Sequence, residues 1–186
     1  VIADDFSEVT VLFADIAGFT PFSAHLPPAE LVIVLNEVFS MFDQLAKQHG
    51  LEKIKTIGDA YMVVGGLPTP RPDHAEAVVD VALAMQSNIA ELDVAHDSPL
   101  KLRVGINTGP VVAGVIGATK FSYDLWGDTV YVASRMESHG LAGKIQVTQA
   151  TYARLRDKYL LEERGTIEVK GKGKMLTYFL SGKRGD

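Results

Sequence analysis

The chain has no cysteine, no apolar run long enough to cross a bilayer and no excess of positive charge over its 186 residues. The first absence excludes disulfides, thiolate zinc sites and thiol nucleophiles, and is compatible with a reducing cytoplasm. Apolar runs such as Leu31-Val32-Ile33-Val34-Leu35 fall far short of the about 20 residues a membrane helix needs. The 18 Lys and Arg against 23 Asp and Glu leave a net charge of −5, which argues against a nucleic-acid partner that would demand a basic face. Lys170-Gly171-Lys172-Gly173-Lys174 is a local basic exception. No basic segment followed by an apolar one opens the chain, so no signal peptide is read. His25, His49, His74, His96 and His139 sit in no metal-ligand spacing.

What is present suits one ordinary globular domain spanning 1–186. The chain is 47% hydrophobic and 22% charged, enough for a sizeable core. It has no internal repeat, linker or low-complexity stretch. Val9 to Ala14 reads as a buried strand, and Pro28 to Gln48 as a helix carrying Leu31, Leu35, Val38, Phe42 and Leu45 at helical spacing. Leu51 to Thr56 and Ala60 to Val64 read as a hairpin through Gly58-Asp59. Asp73 reads as the N-cap of a helix reaching about Leu92. Lys101 to Asn107 and Val111 to Ile116 read as a strand pair turning at Thr108-Gly109-Pro110. Helix over Thr129 to Glu137, strand over Ile145 to Thr148 and helix over Gln149 to Lys158 follow, then strands over Thr166 to Val169 and Thr177 to Leu180. The order predicts an α+β class, an α/β sandwich. It has a ferredoxin-like βαββαβ core, helices on one face of a mostly antiparallel sheet, and extra C-terminal strands and helix.

Two aspartates occupy matching places. Asp15 follows Val11-Leu12-Phe13-Ala14, and Asp59 follows Lys55-Thr56-Ile57-Gly58. Each carboxylate is expected at a strand end. Asp15 leads into Ile16-Ala17-Gly18-Phe19-Thr20, a Gly-containing turn before a helix. Paired hard oxygen ligands beside such a turn can hold Mg²⁺ or Mn²⁺ against nucleotide phosphates, with backbone N–H groups as phosphate donors. A lone Asp after a strand is more often a turn cap.

The segments Phe13 to Thr20, Lys53 to Met62, Arg103-Val104-Gly105-Ile106, Tyr123 to Asp128 and Val132 to Ser138 together resemble the class III nucleotidyl cyclase catalytic domain, in its mycobacterial, mammalian-like adenylyl cyclase form. The resemblance covers about 9–180. Each segment alone is a modest signal; five in the family's order are specific. The resemblance implies an adenylyl cyclase, a phosphorus–oxygen lyase making 3′,5′-cyclic AMP and pyrophosphate from ATP. It implies two divalent ions, Mg²⁺ or Mn²⁺, on Asp15 and Asp59 with the Ile16 carbonyl as a further ligand. Gly18, Phe19 and Thr20 would lie against the triphosphate. Lys55 and Asp124 match the base-reading positions: a lysine donates to adenine N1 and a carboxylate accepts from N6. Guanine reverses that edge, which disfavours a guanylyl cyclase.

The same resemblance makes Arg135 the transition-state arginine, Arg103 a phosphate contact, and Lys170 or Lys172 a contact to the terminal phosphates. A solvated hairpin turn is the competing reading of those lysines. Four residues before Arg135 the family usually carries an asparagine that orients the ribose; here stands Tyr131. Reduced turnover, a shifted ribose pose and a side chain facing elsewhere are all open. That tyrosine is also what a non-catalytic nucleotide-binding or dimerisation module would rest on. Trp126 and Phe121 flank Asp124 and read as packing or dimer contacts. A diguanylate cyclase would need a Gly-Gly-Asp/Glu-Glu-Phe signature, which is absent. The family's site lies between two head-to-tail domains, so this chain is expected to form a homodimer. Asp15, Asp59 and Arg103 would act from one subunit; Lys55, Asp124, Arg135 and the Lys170/Lys172 turn would act from the other. The chain opens on Val1 and is read as the cytoplasmic catalytic module of a longer protein. Any membrane anchor would lie in segments outside it.

Overall fold

The structure, a computed structural model, describes residues 2–18, 24–96, 100–117, 119–120 and 122–185, without the side chains of residues 2 and 93–96. Phe19, Thr20 and Phe121 therefore lie outside the described residues. The elements are β1 (Ile2–Ala17), α1 (Pro28–Gln48), β2 (Glu52–Ile57), β3 (Ala60–Gly65), α2 (His74–His96) and β4 (Lys101–Ile116). They continue with β5 (Ser122–Trp126), α3 (Asp128–Ser138), β6 (Ile145–Thr148), α4 (Gln149–Leu155), β7 (Tyr159–Val169) and β8 (Gly173–Lys183). One sheet runs β2-β3-β1-β4-β6-β8-β7, with β5 paired to β4. Its β1–β4 part has the expected βαββαβ order. The β4–β6 pairing is parallel and the other pairings are antiparallel.

Alternation along β1 builds two layers of core, because successive strand side chains point to opposite faces. Leu12, Ala14 and Ile16 join Val38 and Phe42 of α1, Val78 and Met85 of α2 and Leu155 of α4. Val9, Val11 and Phe13 face the other way, onto Met62, Val64, Val111, Leu125 and Ala133 of α3. Helices thus cover both faces, where one-sided coverage was expected. The spacing of Val132, Ala133 and Met136 already marks α3 as amphipathic; which face it covers is set by its chain crossing over from β5.

Residues 101–116 form one strand, not the expected pair. β1 pairs with both halves, Phe13 opposite Gly105 and Phe6 opposite Val111, with an irregularity between Phe6 and Val9. Pro110 has no N–H to give a ladder, and strands tolerate proline at such breaks. Strand β5, unread in the sequence, pairs with the far half of β4, Asp124 opposite Gly114. Its five residues alternate too briefly to announce a strand.

Two devices seat α3. A Cβ on Gly105 would lie 2.0 Å from the Glu137 amide nitrogen, so only glycine lets β4 touch the helix backbone. Asn107 Nδ2 donates to the Thr129 carbonyl at 3.2 Å while its Oδ1 accepts from Thr148 at 2.7 Å. Gly105→Ala is expected to cost about 3 kcal/mol or more, since the clash is with backbone that cannot rotate away. Urea unfolding at equilibrium would measure it, and a midpoint unchanged from wild type would refute the contact.

Candidate active site

Asp15 lies in β1, two residues before its end, beside Arg103 of β4 and Ala60 of β3. Asp59 stands at the β2–β3 turn, where Gly58 adopts φ +60°. That left-handed conformation is cheap only for glycine, and it delivers Asp59 to the end of β1. Burial, then the neighbouring Asp15 carboxylate, raise the Asp59 pKa. Two carboxylates this close resist joint ionisation unless a cation intervenes.

Asp15 shares its environment with two further charges. Its Oδ2 accepts from Arg103 Nη2 at 2.9 Å, and Arg103 Nε donates to Glu137 Oε2 at 2.8 Å. Burial and then Asp15 push the Glu137 pKa up. Two carboxylates therefore share one guanidinium. Asp15 Oδ1 is buried and meets no donor among the described residues. That oxygen needs either a proton on Asp59 or, with both aspartates ionised, a cation. The donor set fits a hard divalent ion: two carboxylates of Asp15 and Asp59, with room for phosphate oxygens to complete the shell. Among the described residues no group of three or more His, Asp or Glu side chains forms a closed metal cage, so outside oxygens would have to contribute. Ile16 lies opposite Leu102 with its side chain buried on the other face.

The remaining candidates gather around β5 and α3. Lys55 Nζ donates to Asp124 Oδ2 at 2.7 Å, and Asp124 Oδ1 accepts from the Leu125 amide at 2.8 Å. A donor and an acceptor thus meet at one point, 69 residues apart in sequence. The Arg135 guanidinium lies over the Tyr131 ring, 5.2 Å from its centre. Tyr131 Oη donates to the Lys170 carbonyl at 2.6 Å, and Lys172 Nζ to Asp128 Oδ2 at 2.6 Å. Gly18 follows β1 with φ 78°. Sequence reasoning assigned no part to Glu137 or Asp128. Both lie within the motifs it quoted, but their partners Arg103 and Lys172 are distant in sequence.

The larger cavities among the described residues reach Asp128 but not the two aspartates or the base-side candidates. The largest, about 620 Å³, is lined by Phe6, Val111, Trp126 and Asp128, and another of about 480 Å³ lies between α1 and α2. Neither touches Asp15, Asp59, Lys55 or Arg135.

The family model for the adenylate and guanylate cyclase catalytic domain matches residues 1–182. The chain belongs to this family. It is 54% identical over 184 residues to an adenylate cyclase of Mycobacterium tuberculosis, covering 99% of this chain and 42% of that protein. The domain therefore spans less than half of the length of that relative. Its fold superimposes on the adenylyl cyclase CyaB from P. aeruginosa with a TM-score of 0.95 at 32% identity, covering 100% of this chain and 99% of that one. It also superimposes on the guanylate cyclase domain of RhGC from Catenaria anguillulae in complex with GTP. There the TM-score is 0.93 at 39% identity, over 97% of this chain and 100% of that one. The cyclase domain described here is a class III nucleotidyl cyclase domain, and both substrate types occur among its relatives. No helix among the described residues is long and apolar enough to cross a membrane.

Proposed function

We propose that this cyclase domain converts ATP to 3′,5′-cyclic AMP and pyrophosphate at sites shared across a homodimer in the cytoplasm. The Lys55–Asp124 contact at 2.7 Å carries the choice of ATP. It presents a donor beside an acceptor, and adenine offers the complementary acceptor N1 and donor N6 on adjacent atoms of one edge. Guanine would set O6 against Asp124 and N1–H against Lys55, two mismatches at one edge.

Asp15 and Asp59, with the Ile16 carbonyl, would hold two divalent ions, Mg²⁺ or Mn²⁺, which supply positive charge beside the triphosphate and acidify the ribose hydroxyl. The 3′-oxygen attacks the α-phosphorus in line, the bond to the β-phosphate oxygen breaks, and pyrophosphate leaves. Arg135 meets the charge that grows on the transferring oxygens, where a preorganised cation is worth most. Arg103 and the Lys170/Lys172 turn bind the outer phosphates, with the backbone of the segment Gly18-Phe19-Thr20 contributing donors. Arg103 stays tied to Glu137 when Asp15 turns to the ions.

Support for the dimer is the exposure of large apolar side chains close in sequence to the site residues. Ile57 is 59% exposed, Ile116 50% and Trp126 40%. Ile57 lies between Lys55 and Asp59, and Trp126 two residues beyond Asp124. Large apolar groups around charged machinery mark a surface that another chain covers.

The test measures cyclic nucleotide from ATP and from GTP with Mn²⁺, in wild type and in a Lys55→Glu/Asp124→Ser variant. Wild type is expected to prefer ATP. The variant should move toward GTP, because an acid now faces guanine N1 and N2 and a neutral hydroxyl faces O6. Two mismatched hydrogen bonds correspond to a change in preference of roughly 10²-fold or more. Preference for GTP by the wild type would establish a guanylyl cyclase. Nucleotide affinity without product, in folded dimer, would establish a binding module.

A further inference from the structure

Tyr131 departs from the asparagine usual at its position, and its contacts give it a different task. Asp128, Tyr131 and Arg135 are spaced by three and four residues, so they form one stripe along α3. The β7–β8 turn is fastened to this stripe twice. Lys172 Nζ donates to Asp128 at 2.6 Å, and Tyr131 Oη donates to the Lys170 carbonyl at 2.6 Å. The Tyr131 ring packs against the cluster of Val132, Met136 and Val169, with Ile167 and Met175 from the two strands of the same hairpin. Arg135 lies over that ring at 5.2 Å, within cation–π range.

We propose that Tyr131 is a positioning residue. It sets Arg135 and the Lys170–Lys172 turn in one line for a polyphosphate, and it leaves the ribose alone. The inference rests on the reading of this face as a nucleoside triphosphate site. A phenol owns one proton, and here that proton is given to the Lys170 carbonyl. The distance is at the short end for an O–H···O bond, so the hydroxyl is not a free donor for a sugar. The cation–π contact places the Arg135 guanidinium 5.2 Å from the ring centre, and in this reading its N–H groups serve phosphate oxygens. The turn itself contains Gly171 at φ 84° and Gly173 at φ 79°. Two glycines make it pliable, and the Tyr131 latch opposes that freedom. An amide at this position would carry no ring to seat among Val132, Val169 and Met175.

Tyr131→Phe keeps the ring and the shape and removes only the latch. Steady-state kinetics with ATP are expected to show KM raised roughly 2- to 10-fold, the worth of one hydrogen bond, with kcat within about 2-fold. Tyr131→Leu also removes the platform under Arg135, and kcat should drop by a further factor of roughly 2 to 5. Direct binding supplies the second readout. Affinity for inorganic tripolyphosphate should weaken in Tyr131→Phe, and affinity for adenosine should not change. A Tyr131→Phe enzyme with lower kcat and unaltered KM would place the hydroxyl in the chemistry and overturn the proposal. So would tripolyphosphate affinity and KM both at wild-type values. If wild type binds tripolyphosphate in a Tyr131-dependent way but forms no cyclic nucleotide, the cyclase reading fails and the positioning role stands. If wild type forms product and Tyr131→Phe matches it throughout, only the positioning role fails.

Discussion

Asp59→Ala is expected to lower cyclic AMP formation by about 10³-fold or more while the protein stays folded. Loss of one carboxylate from a two-carboxylate site removes several kcal/mol of charge stabilisation, and each 1.36 kcal/mol is tenfold in rate. Folding should not suffer. The Asp59 pKa is raised by burial and by Asp15, so the folded chain favours the protonated acid. Such a group helps stability below its unfolded pKa, and that help is lost as the pH rises through the folded value, above the ordinary carboxylate range. At neutral pH, without metal, the ionised Asp59 is therefore a strain on the fold. The isosteric Asp59→Asn variant should melt no lower than wild type in the presence of a chelator, yet bind Mn²⁺ more weakly. Calorimetry and Mn²⁺ titration would separate the two effects. Retained activity in either variant would remove Asp59 from the metal site.

Mixing Asp59→Ala and Lys55→Ala proteins is expected to restore about a quarter of wild-type activity, although each alone is crippled. In a head-to-tail dimer the metal acids come from one subunit and the base readers from the other. Random pairing makes half of the dimers mixed, and each mixed dimer holds one intact site and one doubly damaged site. The arithmetic separates this arrangement from a site complete within one chain, in which mixing yields only the sum of two damaged proteins. Demonstrated heterodimers with no more than that sum would rule out the shared site. The exposed Ile57 and Trp126 beside the two halves of the machinery are the surfaces whose burial would drive the pairing.

Local patterns carried far. Helix α1 begins and ends at the residues its apolar spacing and the following Gly50 announce, since both signals are local. The Gly58-Asp59 turn was legible because a positive-φ glycine between two apolar runs leaves the chain few alternatives. β4 was read as two strands because Thr108-Gly109-Pro110 has turn chemistry, yet β1 pairs across it. A partner strand overrode the local preference, as sheet context commonly does. β5 went unread because its pairing with β4, not its five residues, makes it a strand.

The amino-acid order by itself determined the family, the βαββαβ core and the identity of Asp15, Asp59, Lys55, Asp124 and Arg135 as candidates, because motif chemistry and periodicity are properties of neighbouring residues. Tertiary structure decided the contacts that give those residues their work. It set Lys55 against Asp124, left Asp15 Oδ1 without a donor, divided Arg103 between Asp15 and Glu137, and turned Tyr131 to the Lys170 carbonyl. Each of these joins residues tens of positions apart. Sheet pairing of β1 with β4 sets Arg103 beside Asp15, and the packing of α3 on β4, through the bare backbone of Gly105, brings Glu137 within reach of Arg103.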